Sequence, residues 1–320
     1  MEVKVVKKSE EQHVLKCPLG HIQKDTSGWS IIGEDVDATC LKLGADVNLF
    51  EYTGDTKIYF FLLEHISLNG DAPTRTSGNL VDFNSNVWDY GFYDVFFYNA
   101  PGKAIHGYGW NTRIINCVFE WNRGTYAVDI ATGYDVKIIG CKFLDNYQNG
   151  MNLASSNSIL VGNYFRTNRY NGLRILEPAS DVKIIGNHFE ANSYENAELY
   201  SNVVLWAPTS SVNRVILVGN SFRGDYDGTI YSHTGLYIGS GVTDTVVIGN
   251  SFLNHKYYDV RNLGTNSLIK LNRGYVTENS GSAEFSGTSV SFTHGLAGTP
   301  TGVWASFNST GYGDWSWTAN

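Results

Sequence analysis

No run of about 18 apolar residues occurs in the 320-residue chain, so no membrane-spanning helix is expected. Charge is sparse: Lys, Arg, Asp and Glu make up 17% of residues, and the balance is a net −8. A chain this acidic lacks the basic footprint that phosphate backbones require, which argues against nucleic acid as a partner. It also has no electrostatic attraction to an anionic membrane surface. Four cysteines are too few for a disulfide framework. Cys17 and His21 are half of a metal-ligand set, but no second pair is placed to complete it, so no metal is expected there. Proline (6) and methionine (2) are scarce. The first residues, MEVKVVKKSEEQHVLKC, lack the apolar stretch of a signal peptide. No GxSxG, HExxH or phosphate-binding loop is present.

What the chain does have is glycine (34) and aromatic side chains (14%), a composition that fits a β-rich protein with many turns. It also has a repeat. TRIINCVF ends at Phe119, DVKIIGCKF at Phe143, NSILVGNYF at Phe165, DVKIIGNHF at Phe189, RVILVGNSF at Phe222 and DTVVIGNSF at Phe252. Two weaker copies precede them, one ending at Ile66 and one read with Phe96 in register. A period of about 22–24 residues with longer inserted copies is the signature of a solenoid. Two residues before each aromatic runs a second ladder: Cys117, Cys141, Asn163, Asn187, Asn220 and Asn250. Three residues after it runs a third: Asn69, Asn99, Asn122, Asn146, Asn168, Asn192, Asp225 and His255. Stacked phenylalanines fill the bore. Stacked asparagines tolerate turn geometry and bond to one another through their amides. Cys117 and Cys141 fall on adjacent coils, about one strand spacing of roughly 4.8 Å apart, close enough for a disulfide or for two stacked thiols.

This pattern resembles the pectate-lyase-like superfamily of right-handed parallel β-helices over residues 28–275. The resemblance implies an all-β solenoid of about 8–10 coils. It says little about chemistry, because that fold hosts lyases, hydrolases, epimerases, phage tailspikes and adhesins. Residues 1–27 do not match the repeat and are expected to cap the open end, whose unpaired backbone must be covered. Residues 276–320 resemble a short β module found at the end of phage and secreted repeat proteins. That module stops mid-pattern, as a truncated one would, and such modules often drive homotrimer formation. Trp304, Tyr312, Trp315 and Trp317 within it suit either sugar stacking or a small core. An extracellular, cell-surface or virion-surface location is the expectation.

After each turn asparagine comes another strand: NLFEYTG, NLVDFNS, KAIHGYG, YAVDIATG, NGMNLAS, NGLRILEP, SNVVLWAP and TGLYIGSG. Strand alternation places one central side chain outward per coil. The resulting column is Glu51, Asp82, His106, Asp129, Asn152, Arg174, Val204 and Tyr237. A one-residue slip would turn His106 and Asp129 into an apolar bore, where an unpaired charge is costly. Asp82 and Asp129 then flank His106 as second neighbours, about 9.6 Å apart. Carboxylates roughly 6.5–9.5 Å apart leave room for an attacking water in inverting glycoside hydrolysis. Arg174 suits a substrate carboxylate. Insertions before this strand, GDAPTRTSG, SYENAELYS and GDYDGTIYSHT, would leave a trough over the polar column. Tyr194, Glu195, Glu198, Tyr226, Asp227, Tyr231 and His233 would line one wall, with Glu177 and Trp206 at the far edge.

The expected function is cleavage of a polysaccharide in this trough. In a hydrolase, Asp82 and Asp129 are acid and base and His106 tunes them. In a lyase, His106 or Arg174 takes the proton beside a uronate carboxylate. The resemblance to lyases implies calcium, yet no dense Asp cluster occupies adjacent coils, so no cofactor is the first expectation. The NxD strand, DD pair and GHG turn associated with polygalacturonases are not intact. The alternative is a non-catalytic glycan-binding or structural β-helix such as a tailspike or adhesin. Glu51, Asn152, Glu177, Tyr194, Glu198, Trp206, Tyr231, His233 and Tyr237 would contact the glycan.

Overall fold

A computed structural model describes residues 28–193, 200–226, 229–230, 232–277 and 296–297, together with the backbone of Val3–Lys7 and Gln12–Leu15. The described residues form an all-β, right-handed parallel β-helix. One face is a nine-stranded parallel sheet: Phe50–Tyr52, Val81–Phe83, Ile105–Trp110, Tyr126–Tyr134, Asn149–Ser156, Leu173–Leu176, Ser201–Trp206, Thr234–Ile238 and Tyr258–Asn262. The other faces are built from pairs of short strands, such as Lys137–Ile139 and Lys142–Leu144, each pairing in parallel with its counterpart one coil away. At the start of the chain, Val3–Lys7 pairs antiparallel with both Gln12–Leu15 and Thr39–Lys42.

Each coil turns three corners, and residues with left-handed backbone sit at all three. Asn111, Asp135, Asn157 and Asp181 hold one corner (φ 51–64°), and Trp121, Asp145, Thr167 and Ala191 hold a second (φ 50–54°). At the third, between the paired short strands, His65, Asp94 and Asn116 (φ 51–55°) are followed by Gly140, Gly162, Gly186, Gly219 and Gly249 (φ 61–66°). Left-handed backbone costs an ordinary L-residue about 1–2 kcal/mol, and glycine nothing comparable. The glycine of each IIG, LVG or VIG text therefore fixes where the strand breaks.

That corner also corrects the register of the two weak copies. Aligning Asp94 with Asn116 puts Phe97, not Phe96, opposite Phe119, and puts Leu68, not Ile66, opposite Phe97. Phe96 lies half-buried on the outer side, stacked on Tyr98. The two adjacent phenylalanines misled the sequence reading, whereas the left-handed corner decides which one enters the bore. From Phe97 the stack continues through Phe119, Phe143, Phe165, Phe189, Phe222 and Phe252 with ring centroids 4.4–5.1 Å apart. These rings are almost wholly excluded from solvent. Each contributes roughly 1.5–3 kcal/mol by burial.

Two asparagine ladders run along the bore. In one, the amide of Asn163 donates to Asn187 (2.8 Å), Asn187 to Asn220 (3.0 Å), Asn220 to Asn250 (2.9 Å) and Asn250 to Asn272 (3.1 Å). Cys117 and Cys141 continue this position as buried free thiols, so they form stacked thiols and no disulfide. In the other, Asn122 donates to Asn146 (2.9 Å), Asn146 to Asn168 (2.8 Å), Asn168 to Asn192 (2.7 Å) and Asn192 to Asn202 (2.8 Å). Asn202, brought in by the insertion after Asn192, takes the place expected of Asp225. Asp225 instead accepts from Arg223 and Asn254. The ladder ends where Asn202 Nδ2 meets His255 Nε2 at 3.2 Å, while His255 Nδ1 meets Asp259 at 2.7 Å. Asn69 and Asn99 stand outside it. Asn69 accepts from the backbone of Asp71, and Ala100 occupies the position next to Asn122. The aromatic residues expected of the C-terminal module, Trp304, Tyr312, Trp315 and Trp317, lie outside the described residues.

Candidate functional site

The nine-stranded sheet carries the polar column on its outer side. Its pairings run Glu51 to Asp82, Asp82 to His106, His106 to Asp129, Asp129 to Asn152, Asn152 to Arg174, Arg174 to Val204 and Val204 to Tyr237, and Arg261 follows as a ninth member. All eight residues named from the sequence therefore share one column. The apolar residues flanking each of them point into the bore, as Ile105 and Val128 do, and this fixes the register.

A second row, three residues upstream on the same coils, supplies the partners. Asn48 donates to both Glu51 (2.9 Å) and Asp82 (3.1 Å), and Asn79 donates to Asp82 (2.8 Å). His106 Nδ1 lies 2.9 Å from Asp82 Oδ1, and since a carboxylate accepts, the imidazole donates from that nitrogen. The opposite nitrogen, Nε2, lies 4.0 Å from Asp129 Oδ2. Asp129, nearly buried, accepts from Lys103 Nζ (2.5 Å) and from Asn152 Nδ2 (2.6 Å). Asp82 and His106 are thus hydrogen-bonded, Asp129 faces the other imidazole nitrogen without bonding to it, and the three are braced from the upstream row by Asn48, Asn79 and Lys103.

Arg174 does not join it. It stands three coils from His106, and its Nη1 donates to the Tyr126 hydroxyl at 2.5 Å. Burial pushes the Tyr126 phenol above its ordinary range. The Arg174 guanidinium opposes this shift and the Asp129 carboxylate adds to it. Beyond Arg174 the column opens into a cavity of about 480 Å³. Arg174, Val204, Tyr237 and Arg261 form its floor, and Trp206 and His233 line it. Tyr170 and Tyr200 also line it, their rings stacked 4.3 Å apart. Trp206 is tilted against Tyr237 at 6.1 Å, and the Arg261 guanidinium lies 5.5 Å from the Tyr237 ring.

Glu177, expected to contact the glycan, is engaged by the loop after Trp206. Its carboxylate accepts from the Thr209 hydroxyl first, and from the backbone of Ser210 (2.6 Å) and Thr209 (2.9 Å), and these bonds hold its pKa below the usual range. It therefore ties down the loop after Trp206. Tyr194, Glu195, Glu198, Asp227 and Tyr231 lie outside the described residues, as does the side chain of Tyr226. Sequence reasoning missed Lys103, Tyr126, Tyr170, Tyr200 and Arg261. The first two were legible: they open the strand texts KAIHGYG and YAVDIATG at the position where Asn48 and Asn79 open theirs.

The donor set does not suit calcium, which takes six to eight oxygen ligands. The column's acids are interrupted by His106, and Asp82 and Asp129 are filled by N–H donors.

A family model described as a right-handed beta helix region matches residues 103–294, more than half of the chain. Among solved structures, the A-module of mannuronan C-5 epimerase AlgE4 from Azotobacter vinelandii is 14% identical, covers 76% of this chain and 84% of its own, and gives a TM-score of 0.48. ORF18 of Geobacillus virus E2 is 19% identical over 74% of this chain and 50% of its own, at a TM-score of 0.42. PfbA, a surface adhesin of Streptococcus pneumoniae, is 11% identical over 76% and 80%, at 0.29. These likenesses concern the path of the chain alone. No curated protein matches the sequence.

Proposed function

The chain belongs to the right-handed β-helix family, and from that premise we propose that it binds a polysaccharide along the outer column and hydrolyses it at Asp82, His106 and Asp129. The observation that carries this reading is the continuity of one column: a carboxylate–imidazole–carboxylate cluster at one end leads into an aromatic and arginine-lined cavity at the other. A glycan needs both, rings to stack against and a place where protons change hands.

Asp82 and Asp129 stand two rungs apart, about 9.6 Å by strand spacing. That separation lies just beyond the roughly 6.5–9.5 Å that admits a water beside the scissile bond, a gap that side chains leaning toward His106 close. His106 touches one carboxylate and faces the other, so it can pass a proton between them. Hydrolysis is favoured over elimination because elimination needs a cation facing the uronate carboxylate at the base. Lys103 is already engaged by Asp129, and Arg174 is three coils away and turned to Tyr126. A polysaccharide-directed protein of this kind would act outside the cell or on a cell or virion surface.

The test is a turnover screen of the purified protein on neutral and acidic polysaccharides, reading new reducing ends and unsaturated-uronate absorbance together. Hydrolysis predicts reducing ends without that absorbance. Absorbance would replace hydrolysis by elimination. Binding without any new ends would favour the second reading, a glycan-binding β-helix. The observation favouring that alternative is that the cavity at Arg174, Trp206 and Tyr237 begins three coils away from His106.

A further inference from the structure

The groove is electrically polarised along its length. At one end the column carries Glu51, Asp82 and Asp129, with Lys103 committed to Asp129. At the other it carries Arg174 and Arg261, and the cavity they line contains no Asp or Glu among the described residues. Neither guanidinium has a carboxylate partner among the described residues. Arg174 is held by a phenol, and Arg261 lies over the rings of Tyr237 and Tyr258. In a chain of net charge −8, two arginines with no acid beside them among the described residues of one cavity are a selective feature. A guanidinium fork matches an oxyanion in two-pronged geometry, and aromatic walls exclude the water that would screen it.

We infer, resting on the groove reading above, that the ligand is an anionic heteropolysaccharide whose carboxylate- or sulfate-bearing unit seats between Arg174 and Arg261 while an uncharged sugar lies over His106. The two arginines are three rungs apart, about 14 Å, so an anionic unit between them is within reach of both long side chains. A charged unit at the other end would face Asp82 and Asp129 in a partly desolvated site, where like charges repel. A polymer charged at every unit therefore gains at one end and loses at the other. A neutral polymer leaves both guanidinium groups unused.

The experiment measures dissociation constants by calorimetry for length-matched oligosaccharides of four kinds. Hyaluronan alternates carboxylated and uncharged units, and κ-carrageenan alternates sulfated and uncharged units. Oligogalacturonate is charged throughout and cello-oligosaccharide is uncharged. At least one alternating oligosaccharide is expected to bind tenfold or more tightly than both uniform ones, and which of the two does so identifies the oxyanion. Raising salt should weaken that binding and leave any cello-oligosaccharide binding unchanged. Arg261→Gln, at an exposed position, and Arg174→Gln should each remove most of the preference without lowering the melting temperature by more than a few degrees. Oligogalacturonate binding as tightly as the alternating polymers overturns the inference while leaving the groove reading intact. So does cello-oligosaccharide binding as tightly, or indifference to both arginine substitutions. No binding by any of the four overturns the inference and the groove reading together.

Discussion

Replacing Asn168 by alanine removes a rung from the asparagine ladder at its middle. Asn168 donates to Asn192 Oδ1 (2.7 Å) and to the Phe143 carbonyl (3.0 Å), and it accepts from the side chain (2.8 Å) and backbone (3.4 Å) of Asn146. It is completely buried, so water cannot replace what is lost. At about 1 kcal/mol net for each bond, the substitution costs about 4 kcal/mol. For a domain of this size each kcal/mol lowers Tm by about 2–4 °C, which predicts a fall of about 8–16 °C in a far-ultraviolet circular dichroism melt. Asn168→Asp should do at least as much harm at neutral pH, because a carboxylate has no N–H to offer Asn192 or Phe143. Lys142→Ala, at an exposed position on the neighbouring coil, is the control and should change stability by no more than about 0.5 kcal/mol. A shift under about 3 °C for Asn168→Ala would refute the view that the ladder stabilises the stack.

The glycines offer a matched pair. A Cβ at Gly133 would meet the backbone of Gly109 at 2.5–2.6 Å, whereas one at Gly162 meets nothing within 4 Å. Gly162→Ala should therefore cost only the left-handed penalty of about 1–2 kcal/mol, and Gly133→Ala clearly more in parallel urea titrations; equal costs would contradict the close packing of those coils. Burial lowers the pKa of His188 from its ordinary 6.5, with Glu190 opposing the shift and Arg223 adding to it. A lowered folded value means that the stability His188 contributes is full above pH 6.5 and is lost as the pH falls through the folded value. The wild-type melting temperature should decline below pH 6.5 more steeply than that of His188→Gln, and parallel curves would refute the assignment. Cys117 and Cys141, buried free thiols, should resist maleimide in the native protein and react on unfolding; rapid native labelling at either would contradict the packed bore.

The outer column was legible in the sequence because two constraints converge on it. The phenylalanine stack sets the coil period, and a one-residue slip at His106 or Asp129 would bury a charge in an apolar bore. The same logic failed at the first two coils, where Phe96 and Phe97 are both apolar and only the left-handed corner at Asp94 distinguishes them. It also failed in the ladder, where an insertion delivered Asn202 from ten residues away and displaced Asp225. Side-chain reach was harder still to read. That Arg174 turns back two coils to Tyr126, and that Glu177 turns to the backbone of Thr209 and Ser210, depends on long side chains crossing rungs, which strand alternation does not encode. The cavity is lined by turn residues such as Tyr170 and Tyr200, which repeat four residues before Arg174 and Val204 on successive coils, in a turn the sequence reading did not follow.

The central claim is that the column is a working groove with its chemistry at His106. Its most direct test compares wild type with His106→Ala on the polysaccharide that the wild type hydrolyses best, measuring the rate of reducing-end release and the dissociation constant together. The account predicts a rate loss of about 10²–10⁴-fold, the range expected for removing a proton-transferring group, with binding changed by less than threefold because the cavity at Arg174 and Arg261 is untouched. A rate within threefold of wild type would contradict it.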